Sequence, residues 1–171
     1  MTPSRRIVQL SAALGEVLLS RRLTLATAES CTAGGVAYAV TQVAGSSGWY
    51  DRGFVTYSNA AKRQMLGVEP EQLRLHGAVS EPVARAMACG ALAASDAQLA
   101  VGVTGIAGPS GGSETKPVGL VCFGWALRRR DELRVRTATQ RFDGDRAAVR
   151  SYAIIAALEG LLRMLDENDD V

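Results

Sequence analysis

A chain of 171 residues, 47% hydrophobic and 21% charged, has the length and apolar content of one packed globular domain, which excludes a disordered one. A formal net charge of +2, spread along the chain, and 5% aromatic residues exclude a nucleic-acid surface of basic clusters and stacking rings. Three distant cysteines (Cys31, Cys89, Cys122) exclude a disulfide framework or zinc knuckle and fit a cytoplasmic protein, and the single histidine, His76, excludes a histidine metal cluster.

The first segment, "MTPSRRIVQLSAALGEVLLSRR", is amphipathic and lacks the continuous apolar run of a signal peptide. Its apolar residues recur at helical spacing and predict a helix over Ile7–Leu19. No segment is apolar over enough length to span a bilayer. "LTLATAE" predicts a strand. "CTAGGVAYAVTQVAG" predicts a small-residue helix starting at Cys31, its glycines marking close approach of another backbone. "WYDRGFVTYS" predicts a strand, and Asn59 is the expected N-cap of a helix over "AAKRQMLGV". "EPEQLRLHG" is a short helix, and His76 near its end suits a helix C-terminus better than a catalytic triad. Ser80, Glu81 and Pro82 give "SEPVARAMACGALAASDA" a strong helix start.

"AQLAVGVTGIAG" predicts a strand buried on both faces. The long loop "GPSGGSETKPVG" follows. "LVCFGWALRR" and "ELRVRTATQRF" flank a charged tip, Arg128–Arg130 followed by Asp131 and Glu132, and predict a β-hairpin. "DGDRAAVRSYAIIAALEGLLRML" predicts a last helix that begins near Asp143 or Asp145. "DENDDV" reads as an acidic frayed tail. The order predicts an α/β fold: a single-domain α/β/α sandwich over residues 1–165, its mixed sheet including a C-terminal β-hairpin, with the tail over 166–171.

Chemistry concentrates in three places. Ser30 falls where a strand gives way to a helix. A serine there either caps the helix or acts as a nucleophile, and position alone favours the cap. As a nucleophile it would lie beside the free N–H groups of Cys31 and Thr32, which suit an oxyanion. Removing one such donor typically costs ~3 kcal/mol of transition-state stabilisation. Cys31 is intrinsically the better nucleophile, but it lies one residue into the predicted helix and reads as a packing residue.

The second place is "VTYSNAAK". The chain has two lysines, Lys62 and Lys116, among many arginines. Arginine stays protonated, whereas a buried lysine can serve as a base. Lys62 lies in the first turn of a predicted helix, and burial must bring it down from its ordinary ~10.4. Tyr57 precedes it at the expected strand end, within reach of the lysine or the serine as a proton relay. Taken alone, Lys62 reads more readily as a solvated helix lysine and Tyr57 as a strand-end aromatic. The third place is "TGIAGPSGGSETKPVG". It is neither a Walker motif nor a dinucleotide fingerprint, but long glycine loops after buried strands suit anions.

"TAESCT", "AGSSGWYDRGFVTYSNAAKRQMLGV", "HGAVSEPVARAMACGA" and "GVTGIAGPSGGSETKPVG" occur in that order over nearly the whole chain. Together they resemble the CinA C-terminal-domain family, whose members include nicotinamide-nucleotide amidases. The resemblance implies deamidation of nicotinamide mononucleotide by a Ser-Lys acyl-enzyme mechanism in pyridine nucleotide salvage, without metal or cofactor. It makes Ser30 the nucleophile, Lys62 the base and Tyr57 its helper, with the backbone of Cys31 and Thr32 holding the oxyanion. The substrate phosphate would sit on the glycine loop at Ser110, Gly111, Gly112 and Ser113. Thr104 and Gly108 join as substrate-binding residues, and Ser46 and Ser47 as second contributors. The expected partners are a small nucleotide and further copies of the chain, in a homodimer or higher homo-oligomer, with no nucleic acid and no membrane.

The family's usual "ESCTGG" reads "ESCTAGG" here, with Ala33 in place of the first glycine, in what reads as a helix's first turn where it narrows the approach to substrate. The chain also lacks the N-terminal nucleotide-processing domain of longer members and so resembles the stand-alone amidases. The alternatives are a non-catalytic nucleotide-binding module of the same family, or a hydrolase of another amide.

Overall fold

Helix and strand alternate from the N-terminus as the apolar spacing predicts. The computed structural model describes residues 2–130 and 132–166. Its elements are α1 (Pro3–Arg21), β1 (Leu25–Glu29), α2 (Gly35–Thr41), β2 (Tyr50–Val55), α3 (Asn59–Leu66), α4 (Pro70–His76), α5 (Glu81–Ala93), β3 (Leu99–Gly105), β4 (Leu120–Arg129), β5 (Glu132–Arg141) and α6 (Arg146–Asp166). The strands form one sheet in the order β2-β1-β3-β4-β5. β2, β1 and β3 run parallel, and β4 and β5 form the antiparallel hairpin expected at the C-terminal end. Asp131, expected at the hairpin tip, and the tail from 167 lie outside the described residues, while Asp166, expected to open the tail, closes α6.

Helices α1, α2 and α6 cover one face of the sheet; α5, flanked by α3 and α4, covers the other. Each face has its own apolar core. Leu14, Leu18, Val36, Trp49, Phe123 and Leu161 belong to the first, and Val83, Met87, Ala88 and Leu92 to the second. With both faces covered, β1 is buried at every position, as is β3 from Leu99 to Thr104. The α5 layer approaches so closely that a Cβ on Gly102 or Gly124, which face each other across β3 and β4, would meet the Ala84 carbonyl oxygen at 2.4 Å.

Several boundaries differ from expectation, each for a local reason. The helix expected from Cys31 begins only at Gly35, because Ala33 (φ 49°) and Gly34 (φ 87°) are both left-handed and cannot continue a right-handed turn. β2 ends at Val55 because the chain then turns into a cap. That cap is Ser58 and not Asn59: the Ser58 hydroxyl accepts from the Ala61 N–H at 3.0 Å, and Asn59 is the first helical residue. Of the two aspartates before α6, Asp145 accepts from the Ala148 N–H at 2.8 Å.

Candidate active site

In an open parallel sheet, ligands bind beyond the C-terminal strand ends where neighbouring connections diverge. Here that place is the junction of β1 and β3, since β1 leads to β2 on one side and pairs with β3 on the other. Ser30 follows β1 directly, and its N–H donates to Val103 O at 2.9 Å, extending the ladder by one residue. The residue is 8% exposed.

Lys62 reaches it from the first full turn of α3. Its Nζ lies 3.0 Å from Ser30 Oγ and 2.8 Å from the Thr56 carbonyl oxygen, and the residue is 1% exposed. Burial lowers the lysine below its ordinary value, with only a weaker opposing pull from Cys31. Among the described residues no carboxylate forms an ion pair with it. Glu29 is next to Ser30 in sequence and 1% exposed, but its carboxylate accepts the Val36 and Ala37 N–H groups, each at 2.9 Å, and so caps α2. Ser30 therefore is not the cap, and its hydroxyl remains with the lysine. Burial favours the neutral amine, and in that form Lys62 is the acceptor: the Ser30 hydroxyl then donates along the same 3.0 Å line.

Cys31 and Thr32 lie in the turn before α2, not in its first helical turn. Among the described residues neither N–H has a backbone acceptor. Burial pushes the Cys31 thiol up to about 12, with Arg150 and Lys62 among the weaker groups pulling it back, so it is a protonated, weakly nucleophilic thiol at neutral pH.

A cavity of about 280 Å³ opens over Ser30 and Lys62. Cys31, Tyr57, Thr104, Gly108, Ser110 and Gly111 line it, together with Asn59, Ala78, Val79, Ile106 and Arg146. Thr104 is 1% exposed and its hydroxyl donates to the Ala78 carbonyl at 2.9 Å, tying β3 to the segment before α5. Tyr57 stands beyond the strand end and is 61% exposed. Its hydroxyl accepts from Arg146 Nη2 at 3.1 Å, and the expected bond to Lys62 or Ser30 is not made. Arg146 Nη1 also donates to Gly108 O at 2.8 Å, which sets a guanidinium across the mouth.

Four residues expected to bind substrate lie elsewhere. Ser46 and Ser47 form a short 3-10 turn near the start of β1, at the opposite end of the sheet from Ser30. Gly112 and Ser113 fall outside the cavity lining. Ser113 is closed into a turn of its own, its N–H on Lys116 O at 2.8 Å and its hydroxyl accepting from the Lys116 N–H at 3.0 Å. Lys116 Nζ in turn donates to the His76 carbonyl, fastening the loop to the end of α4. Ala33 is exposed and lines a separate hollow with Tyr38, Arg150 and Ile154, so it does not narrow the Ser30 cavity.

Arg146 and Glu29 were not anticipated. Both carry a readable signal: a cation at the first position of a helix opposes the helix dipole, and a glutamate closing a buried strand needs buried partners. Among the described residues no group of three or more His, Cys, Asp or Glu is placed to hold a metal, and no helix is long and apolar enough to cross a membrane.

Residues 7–165 match the family model described as the CinA C-terminal domain. The chain is 52% identical over 168 residues to the nicotinamide-nucleotide amidohydrolase PncC of Escherichia coli (strain K12), covering 98% of this chain and 99% of that protein. It is 51% identical to the protein of the same name from Pseudomonas putida, over 92% of this chain and 96% of the relative. Among solved structures, the competence/damage inducible protein CihA from Agrobacterium tumefaciens superposes with a TM-score of 0.87 at 45% identity, covering 94% of this chain and 96% of that one.

Proposed function

This chain belongs to the CinA C-terminal domain family, and we propose that it is a nicotinamide-nucleotide amidase that hydrolyses nicotinamide mononucleotide to nicotinic acid mononucleotide and ammonia in pyridine nucleotide salvage. The observation that carries the reading is the buried Lys62 amine on the Ser30 hydroxyl at 3.0 Å, on the floor of a cavity, in a chain about half identical to relatives named for this reaction.

Neutral Lys62 takes the Ser30 proton as Oγ attacks the carboxamide carbon. The Cys31 and Thr32 N–H groups stabilise the oxyanion. The C–N bond breaks, ammonia leaves with the proton returned by Lys62, and an acyl-enzyme remains. Water then attacks the ester, gives its proton to Lys62, and Ser30 is released with it. Arg146, with Ser110 and Gly111, receives the phosphate; all three line the cavity. Tyr57 acts by holding Arg146, and through it the mouth, in place.

The test is ammonia release from nicotinamide mononucleotide by the purified protein with EDTA present, beside Ser30→Ala and Lys62→Ala. Release by the wild type that is nearly abolished in both variants supports the reading. Release surviving Ser30→Ala overturns it in favour of Cys31. Binding without release makes the protein a nucleotide-binding module or directs the search to other amides.

A further inference from the structure

The turn that carries the proposed oxyanion donors is anchored from behind by a cation. Arg150, half-buried in the second turn of α6, donates from Nη2 to the Thr32 carbonyl oxygen at 2.9 Å. That oxygen also accepts the Gly35 N–H at 3.0 Å. The Thr32 carbonyl and the Ala33 N–H belong to one peptide group, and the Ala33 N–H donates to the Ser30 carbonyl at 3.0 Å. The Ser30 carbonyl and the Cys31 N–H belong to the next. The path therefore runs from guanidinium to Thr32 C=O, Ala33 N–H, Ser30 C=O and the Cys31 N–H, which among the described residues has no backbone acceptor.

We infer that Arg150 is a positioning residue for the reaction: its fixed charge polarises two peptide groups in series and strengthens the Cys31 N–H as an oxyanion donor. Hydrogen bonds in a chain reinforce one another, more so away from water. A permanent charge at the head of the chain acts without reorganising during the reaction. Arginine suits the task because it does not lose its proton. Arg150 touches neither Ser30 nor Lys62 by any hydrogen bond of the structure; its effect passes through the turn. This inference rests on the amidase reading above.

The test compares the wild type with Arg150→Lys and Arg150→Gln. Steady-state ammonia release gives kcat and KM across pH, and thermal unfolding checks the fold. Arg150→Gln, which keeps a donor but no charge, is expected to lose about tenfold in kcat with KM within about twofold, less than the ~100-fold that follows outright removal of an oxyanion donor. Arg150→Lys restores most of the loss. The acid limb of the pH profile, set by Lys62, stays in place in both. A Gln variant with wild-type kcat, an equal loss in both variants, or a loss confined to KM overturns the inference.

A fluorophosphonate probe separates this failure from failure of the amidase reading. The Ser30 oxygen bonds to phosphorus as its proton passes to Lys62, the P–F bond breaks and fluoride leaves, and the phosphoryl oxygen takes the oxyanion's place. If the wild type releases no ammonia yet is labelled at Ser30, the amidase reading falls and the labelling rates decide: slower labelling of Arg150→Gln sustains the inference, and equal rates overturn it. Absence of labelling in the wild type overturns both.

Discussion

Lys62 Nζ stands 3.0 Å from Ser30 Oγ across 32 positions of sequence, and the lysine's second partner is a backbone carbonyl, not a carboxylate. A buried ammonium without a counter-ion is a costly arrangement for the folded state. The same lack of a counter-ion favours the neutral amine, which is the form that accepts a proton.

Replacement by an apolar side chain of similar length therefore separates stability from activity. Lys62→Met gives up two hydrogen bonds, about 1 kcal/mol each, but removes a buried charge whose desolvation costs several kcal/mol. The expected result is a higher Tm together with loss of turnover. The gain depends on pH. Below Lys62's folded-state pKa the lysine is protonated in both states and the full penalty applies. As pH rises from that lowered value toward ~10.4, the unfolded chain binds more protons than the fold, so wild-type stability rises and the gap to Lys62→Met narrows. Denaturant unfolding of both proteins over that range checks the sign.

The rate should follow the same titration. Only a neutral amine can take a proton, so on the proposed mechanism kcat/KM for ammonia release is expected to climb with pH and level off below the ordinary lysine range. A profile flat through that region would mean that another group acts as the base.

Much of this is legible in the sequence. Ser80 before Glu81 and Pro82, the doubly buried run at β3 and the β4–β5 hairpin each followed from local chemistry, and the resemblance singled out Ser30 and Lys62 together. The errors share a cause. Apolar spacing cannot register two consecutive left-handed residues, so Ala33 and Gly34 passed for helix. Nor does a loop's composition say which part faces inward: Ser110 and Gly111 line the cavity, while Ser113 closes on Lys116. Arg146 lies 84 residues beyond Lys62 in number and joins the site only through the fold, by way of Gly108 and Tyr57.

Arg146 should report on the phosphate alone. A hydrogen bond to a charged group is worth ~1.5–3 kcal/mol, so Arg146→Ala is expected to raise KM for nicotinamide mononucleotide by roughly 10- to 100-fold with little change in kcat. Nicotinamide riboside, which has no phosphate, should show no such change. An equal effect on both substrates would place the phosphate elsewhere.

Cys31 should prove dispensable as a nucleophile. Its thiol, pushed up to about 12 by burial, is protonated at neutral pH and 6% exposed. Iodoacetamide is expected to leave the rate intact, and Cys31→Ala to retain turnover within about tenfold, since the backbone N–H is kept. Loss of all activity in Cys31→Ala, with Ser30→Ala still active, would reverse the assignment.

The turn between β1 and α2 holds an alanine at φ 49°, in the left-handed region that favours glycine. The left-handed region costs a non-glycine residue ~1–2 kcal/mol. Glycine relieves that strain but enlarges the entropy of the unfolded chain by ~0.4–1 kcal/mol. Ala33 is exposed, so little packing is lost with its methyl group. Ala33→Gly is therefore expected to stabilise by about 0.5–1 kcal/mol and raise Tm by ~1–4 °C. Turnover should stay within about twofold, because the Ala33 N–H to Ser30 carbonyl bond at 3.0 Å and the Arg150 anchor on Thr32 both survive the change. A rise in Tm with a fall in kcat would mean that the strained alanine holds the Cys31 N–H in a geometry that glycine relaxes.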